Sequence, residues 1–265
     1  MRSDVVYYKS STNMNEIDNN SIHLIVTSPP YFNVKDYSQD GNQKEHDIGS
    51  FDDYEQYLEC LYKVFIECER VLVPNGKLCI NAPLMPLKKK HKNREPREIV
   101  NIPADIHCLF KRIPNLMFYD MYIWERTNWT KKLMFGSYPY PPNFYAQNYC
   151  EFIYVYTKRG EPIKRTKEQK EASKLSQAQW VEYTSQVWRI SVPSKSDPAY
   201  GIHPAIMPEE VAKRLIMLYS FVGDIVLDPF AGSGTTLAVA KKLGRSFIGY
   251  ELYDKYKTVI EAKVG

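Results

Sequence analysis

Thr27-Ser28-Pro29-Pro30-Tyr31 follows directly on the apolar run Ile22-His23-Leu24-Ile25-Val26. A buried strand that ends this way delivers several groups to one point at the carboxyl edge of a sheet. Ser28 supplies a hydroxyl and Pro29 a carbonyl. Pro29 and Pro30 make a backbone that donates no hydrogen bonds and has few conformations to lose. Tyr31 supplies a flat aromatic face. The set suits a planar ring bearing an exocyclic amine: the oxygens accept from the amine while the ring stacks on tyrosine. Pro-Pro also ends strands with no further role, so this segment alone leaves both readings open.

A second constellation lies near the other terminus. Asp224 to Asp228 reads as a strand, followed by Pro229-Phe230-Ala231-Gly232-Ser233-Gly234-Thr235-Thr236 and an apolar helix start at Leu237-Ala238-Val239-Ala240. Strand, glycine turn and helix bring backbone amides and a helix N-terminus against a ligand. The turn lacks the lysine of a triphosphate-cradling loop and is too short for a full GxGxxG, so the ligand need not be a polyphosphate. Ser246 to Tyr250 makes the next strand, with Glu251 at its tip, 17 residues past Gly234. An acid there is placed to accept both hydroxyls of a ribose. A nucleoside without phosphates fits, and S-adenosylmethionine is the obvious one.

Together these segments resemble the amino-methylating DNA methyltransferases in the permuted order where the catalytic motif precedes the cofactor motif. The resemblance rests on Thr27 to Tyr31, Arg70 to Lys77, His203-Pro204, Asp228 to Thr236 and Gly249-Tyr250-Glu251, and covers about residues 1–123 and 200–265. It implies a Rossmann-like α/β fold, S-adenosylmethionine as cofactor and double-stranded DNA as partner. By the same resemblance Ser28, Pro29, Pro30 and Tyr31 are catalytic, and the base is flipped out of the duplex onto Tyr31. Ser28 and the Pro29 carbonyl each accept from one amine N–H and free its lone pair, so no covalent intermediate is needed. Phe230 packs the cofactor, and Asp228 shapes the turn or meets the methionine amine. Gly232, Ser233, Gly234, Thr235 and Thr236 offer amides and hydroxyls to the methionine tail. His203 comes from the segment that closes the cofactor pocket, with a structural role equally open. Where the family usually carries Gly-Asp to meet the cofactor adenine, this chain has Lys9-Ser10-Ser11, which shifts that task to backbone groups or Ser10.

In the family, Ser-Pro-Pro-Tyr accompanies N4-cytosine methylation and Asp-Pro-Pro-Tyr accompanies N6-adenine methylation, which weighs toward cytosine with adenine as the alternative. Carbon-5 methylation needs a thiolate, usually in a Pro-Cys pair, and no such pair occurs. Methylation of RNA or a protein amide, and a non-enzymatic nucleic-acid-binding relative, are the other readings. The resemblance places the enzyme in a restriction-modification pair with a cognate endonuclease or standing alone, as a monomer or a homodimer.

The elements that must position these groups alternate. Ser50 to Asp53 reads as a capping box opening a helix with Leu58, Leu61, Val64, Phe65, Cys68 and Leu72 on one face. Pro74-Asn75-Gly76 reads as a turn into the strand Lys77 to Asn81. Asn101 to Arg112 reads as a helix, Met117 to Trp124 and Glu151 to Tyr156 as a hairpin with a long excursion, and Glu209 onward as a helix. That order predicts a mostly parallel sheet with helices on both faces. The expected division is residues 1–123 as the catalytic half, 124–200 as a target-recognition region and 201–265 as the cofactor-binding half. Residues 32–49, polar and hanging from the catalytic motif, are expected to close over the site. Trp129, Lys131, Lys132, Tyr138, Tyr140 and Phe144, with Trp180, Tyr183, Trp188 and Arg189, are read as recognition residues.

Net charge is only +4, but Lys88, Lys89, Lys90, Lys92 and Arg94 fall within seven residues, beside His91. The run follows the strand ending at Asn81 and so projects from the same edge as Ser28, which points to phosphate contact. Lys158 to Lys174 holds seven more cations against three acids, with phosphate contact and a solvated loop both open. No metal is predicted, because Cys60, Cys68, Cys79, Cys108 and Cys150 form no CxxC pair and show no ligand spacing with histidine. Reduced, buried thiols are the default. No apolar run approaches the ~20 residues of a membrane span, and Met1-Arg2-Ser3-Asp4 lacks the apolar core of a signal peptide, so a cytoplasmic location with no membrane contact is expected.

Overall fold

The computed structural model describes residues 1–32, 47–87, 94–95, 98–128, 137–144 and 146–265. In chain order the strands are β1 (Val5–Tyr7), β2 (Ile22–Thr27), β3 (Leu72–Pro83), β4 (Met85–Pro86), β5 (Ile99–Val100), β6 (Leu116–Arg126), β7 (Cys150–Lys158), β8 (Val187–Ile190), β9 (Ile225–Asp228) and β10 (Ser246–Tyr250). The α-helices are α1 (Tyr54–Val71), α2 (Ile102–Phe110), α3 (Lys167–Ala172), α4 (Gln177–Tyr183), α5 (Glu209–Tyr219), α6 (Thr235–Lys242) and α7 (Lys257–Val264). Eight strands form one sheet in the order β1-β10-β9-β2-β3-β7-β6-β8, while β4 and β5 pair separately. In the eight-stranded sheet every neighbour pair is parallel except β3 with β7 and β7 with β6, so β7 alone runs against the rest.

The sheet's apolar strands are covered on both faces, as their near-continuous burial requires. One core packs α1 and α2 through Leu61, Phe65, Ile102 and Phe110; the other packs α5, α6 and α7 through Val211, Leu215, Leu237 and Ile260. The chain leaves β2 for the first face and leaves β9 for the second. β2 and β9 are direct neighbours, with Leu24 opposite Val226 and Ile25 opposite Leu227. Adjacent parallel strands whose continuations part to opposite faces open a crevice beyond their carboxyl ends. That crevice receives both motifs.

Several local expectations are corrected. The cap of α1 is Asp53, which accepts from the Glu55 amide at 3.0 Å, not Ser50. Ser50 closes a 3-10 turn over Ile48–Ser50 and donates to the Asp47 carbonyl. Leu72 is buried as expected, but as the first residue of β3 rather than on the helix face. Pro74-Asn75-Gly76 is an irregularity inside β3: Asn75 takes φ 60°, and pairing with β2 jumps from Ile22–Leu72 to Leu24–Lys77. Of the five thiols only Cys68 and Cys79 are buried, and Cys108 is exposed. The expected hairpin of β6 and β7 is present, with Ile123 opposite Phe152. Residues 150–158 and 187–190 belong to the central sheet. Trp188 and Tyr183 are core, with the Trp188 indole donating to the Tyr183 carbonyl at 3.1 Å, so they do not belong to a recognition surface. Among the described residues, no helix is long and apolar enough to cross a membrane.

Candidate active site

Ser28, Pro29, Pro30 and Tyr31 emerge from β2 beside Asp228 to Thr236 emerging from β9, and both groups line one cavity of about 820 Å³. The two motifs are joined directly. Thr27 donates from Oγ1 to Asp228 Oδ1 at 2.7 Å, and the Phe230 amide donates to the same oxygen at 3.0 Å. Burial pushes the Asp228 carboxyl up to about 6, against these bonds and one from Thr236. A carboxyl across the seam thus fixes where β2 ends relative to the glycine turn after β9.

The wall formed by Ser28 to Tyr31 is held from beneath by α1. Tyr57 donates its hydroxyl to the Pro30 carbonyl at 3.0 Å, and Phe32 packs on Tyr54 and Tyr57 at ring distances of 4.9 and 5.4 Å. Two residues that sequence reasoning did not single out complete the wall. Asn81, the polar end of the apolar β3 segment, donates from Nδ2 to Glu151 Oε2 at 2.6 Å and toward Ser28 Oγ at 3.3 Å. Glu151, near the start of β7, also accepts from the Tyr31 hydroxyl at 3.4 Å and lies 3.7 Å from Arg126. Pairing of Pro83 with Glu151 and Asn81 with Ile153 sets both at the cavity edge. The available signal was a polar residue where each buried strand meets that edge. Arg126 turns its other donors to the carbonyls of Asn148 and Tyr149. Asn81 Oδ1 is buried with no hydrogen-bond partner among the described residues. The wall is therefore richer in acceptors than in donors.

On the other side, Gly232 takes φ 51°, and a Cβ there would stand 2.9 Å from His203 Nε2. His203 leans edge-on to Tyr256 at 4.7 Å and accepts from the Ala205 amide at Nδ1. Gly234, also at positive φ, caps α6, and a Cβ there would come within 3.2 Å of Ile260; it is the one cofactor residue from the sequence reading that does not line the cavity. Glu251 accepts from the Gly232 amide and the Tyr253 amide, each at 2.8 Å. Burial pushes its carboxyl up to about 7 despite those donors, with the Asp228 charge adding to the rise. Ser10 lines the cavity beside Lys9 and Ser11, its hydroxyl 3.1 Å from Thr12 Oγ1, while Lys9 is drawn to Glu16 at 2.5 Å. Asp47, where the polar loop returns, accepts from the Tyr253 hydroxyl at 2.6 Å.

Lys88, Lys89, Lys90 and Lys92, Trp129, Lys131 and Lys132, and residues 33–46 of the polar loop lie outside the described residues. Arg94 pairs with Glu98 at 2.6 Å and lies over the Tyr54 ring at 4.9 Å. In the second basic stretch, Arg165 grips Asp224 with two nitrogens and Lys158 reaches Glu69 at 3.2 Å, both at the amino edge of the sheet, opposite the cavity.

A doubly wound sheet with an aromatic, acceptor-lined wall facing a glycine turn and a buried terminal acid defines a class: α/β enzymes that set a nucleoside beside a planar ring. The chain belongs to the DNA methylase family of N6/N4 type, which matches residues 22–262. It is 30% identical to the type II methyltransferase M.MjaI of Methanocaldococcus jannaschii, over 98% of this chain and 90% of that one. It is 32% identical to M.MthZI of Methanothermobacter thermautotrophicus, over 98% and 76%. Among solved structures, a putative DNA modification methylase of Thermus thermophilus, complexed with S-adenosyl-L-methionine, superposes with TM-score 0.75 at 29% identity, over 98% of this chain and 92% of that one. The PvuII cytosine-N4-specific DNA methyltransferase shares the fold, with TM-score 0.72 at 16% identity, over 99% and 86%.

Proposed function

We propose that this DNA methyltransferase transfers a methyl group from S-adenosylmethionine to the N4 amine of a cytosine flipped out of duplex DNA, as the modification partner of a restriction system. The observation that carries the reading is the acceptor-rich wall around Ser28: a hydroxyl, the carbonyl that Pro29 brings, and the Asn81–Glu151 pair behind them suit a substrate that brings N–H donors.

The cavity also fits the cofactor. Four buried acids line it, Asp47, Glu151, Asp228 and Glu251, which favours a ligand with cationic groups and no phosphate. A side chain at Gly232 would collide with His203, so glycine lets that turn and the His203 segment close on each other at the cavity edge. Bound there, the cofactor supplies an already activated methyl electrophile. The chain's own work is to bind and to position. Glu251 accepts from the ribose, and the turn's hydroxyls meet the amino-acid tail. Ser28 Oγ and the Pro29 carbonyl accept hydrogen bonds from the two amine N–H groups, so the lone pair leaves conjugation with the ring and points along the line of displacement. Tyr31 stacks on the base, and Glu151 fixes the orientation of both Tyr31 and Asn81. Exposed Tyr138, Tyr140 and Phe144, whose rings serve no core, suit contact with DNA in the recognition region.

The test is product analysis. Duplex DNA methylated by the protein and digested to nucleosides should contain N4-methylcytosine. N6-methyladenine in its place would overturn the base assignment, and transfer to RNA or protein alone would overturn the substrate class. Variants locate the chemistry. Ser28→Ala should slow single-turnover transfer by at least ~10-fold with DNA and cofactor affinity largely kept. Tyr31→Ala should forfeit roughly 1–3 kcal/mol of base stacking, and Tyr31→Phe should retain most activity. The reverse order, with Tyr31→Phe inactive and Ser28→Ala near normal, would make the tyrosine hydroxyl the proton acceptor. Ser28→Asp should shift product toward methyladenine if the first motif position selects the base.

A further inference from the structure

Lys263, on the last helix α7, is a buried cation that the chemistry above does not use. Its side chain is 4% exposed, and its Nζ lies 2.9 Å from Asp197 Oδ1 and 3.0 Å from Oδ2. The same Nζ donates to Thr235 Oγ1 at 2.9 Å and sits 3.5 Å from Ser233 Oγ. Ser233 and Thr235 line the cavity at the glycine turn. Asp197 opens the segment that carries Tyr200, Gly201 and His203 onto the cavity wall: its backbone carbonyl accepts from Tyr200, its side chain accepts from Ala199, and His203 bonds back to Ala199. One ammonium therefore ties together the last helix, the cofactor turn and the segment that closes it.

Stability alone is a poor reason for a cation in this place. The first turn of α6 already presents the positive end of a helix dipole, and a buried ion pair pays a desolvation penalty that an apolar replacement avoids. An anion on the cavity side of the turn reverses that balance. Donation by Nζ also occupies a lone pair on Thr235 Oγ1, which leaves the hydroxyl proton for Ser233, 3.2 Å away, or for a ligand.

We propose that Lys263 is a positioning residue for the carboxylate end of the cofactor, turning the Thr235 and Ser233 hydroxyls toward that anion while its pair with Asp197 holds the His203 segment against it. The proposal rests on the S-adenosylmethionine reading. Its test is equilibrium binding of two ligands, S-adenosylmethionine and 5′-methylthioadenosine, which keeps the adenosine and sulfur but has no carboxylate. In Lys263→Met, affinity for S-adenosylmethionine should fall roughly ten- to hundredfold, as for loss of a charge-assisted contact, while methylthioadenosine binding stays within about twofold. Lys263→Arg should recover part of the loss. If Lys263→Met fails to fold, Lys263→Gln and Asp197→Asn are read by the same ratio. Equal loss for both ligands would reduce the pair to a structural brace, and no loss for either would remove it from the site; each overturns the proposal. A wild-type protein that binds methylthioadenosine but not S-adenosylmethionine would bring down the cofactor reading itself, and this inference with it.

Discussion

Glu251 spends one carboxylate oxygen on the Tyr253 amide of its own turn and the other on the Gly232 amide of the glycine turn, yet burial still leaves its proton binding near neutrality. Ribose hydroxyls and a nearby cation both favour the charged form, so ligand binding must lower that proton affinity. S-adenosylmethionine should therefore bind more tightly as pH rises through about 7, with protons released on binding. Calorimetry in buffers of different ionisation enthalpy would measure the release, and Glu251→Gln should abolish it. Glu251→Ala should weaken binding by roughly 1.5–3 kcal/mol for each lost hydrogen bond; unchanged affinity in a folded variant would end the ribose role. The free protein has its own pH dependence. Folding raises Asp228 to about 6 and Glu251 to about 7, so the stability these groups contribute is fully present below the ordinary carboxylate range, near pH ~4. It is lost as pH rises through those values. Measured by denaturant titration, Glu251→Gln should gain stability relative to wild type between about pH 5 and pH 8. The place of an acid at this strand tip was legible in sequence. Its proton affinity was not, because it depends on burial by residues far along the chain.

Elements explain why Ser28 to Tyr31 have a fixed shape. β2 ends at Thr27, but the path through Pro30 is set by α1, whose Tyr57 hydroxyl reaches the Pro30 carbonyl. Tyr57→Phe keeps the ring against Phe32 and removes that bond. The variant should lose about 1 kcal/mol of stability and slow methyl transfer at saturating ligands, with cofactor affinity unchanged. Denaturant titration paired with single-turnover rates would check both, and an unaltered rate would show that the prolines hold their path without help. The alternation of strands and helices, the hairpin of β6 and β7, and the two motif-bearing turns were readable because apolar periodicity and Gly-Pro punctuation report local geometry. Pairing was not. Nothing local shows that β2 lies beside β9, that Asn81 and Glu151 meet across β3 and β7, or that Lys263 returns to the cofactor turn. The aromatic reading of the middle third failed at Trp188 and Tyr183 for the same reason: composition does not tell a recognition face from a buried strand. Arg165 and Lys158, which sequence leaves open between phosphate contact and a solvated loop, instead pair with Asp224 and Glu69.

At the scale of the whole molecule, a formal net charge of +4 is too small to hold a polyanion by itself, so DNA affinity must come from where the cations sit. The sequence offers two clusters. Lys88 to Arg94 follows the carboxyl edge of β3, the edge of the active cavity. The Lys158 to Lys174 stretch is anchored at the amino edge, by Arg165 on Asp224 and by the Ser173 hydroxyl accepting from the Val222 amide. Two quadruple variants put placement against charge: Lys88, Lys89, Lys90 and Lys92 to alanine, and exposed Lys164, Lys167, Lys170 and Lys174 to alanine. Each removes four positive charges, so any effect of net charge alone is the same in both. The first should weaken binding to all duplexes alike, because phosphate contacts carry no sequence information. It should also flatten the plot of log affinity against log salt by roughly 0.9 for each lysine that meets a phosphate. The second should leave the slope near the wild-type value. Equal slopes in the two variants would show a protein bound through its overall field, and a change confined to the second would place the duplex at the amino edge, away from Ser28.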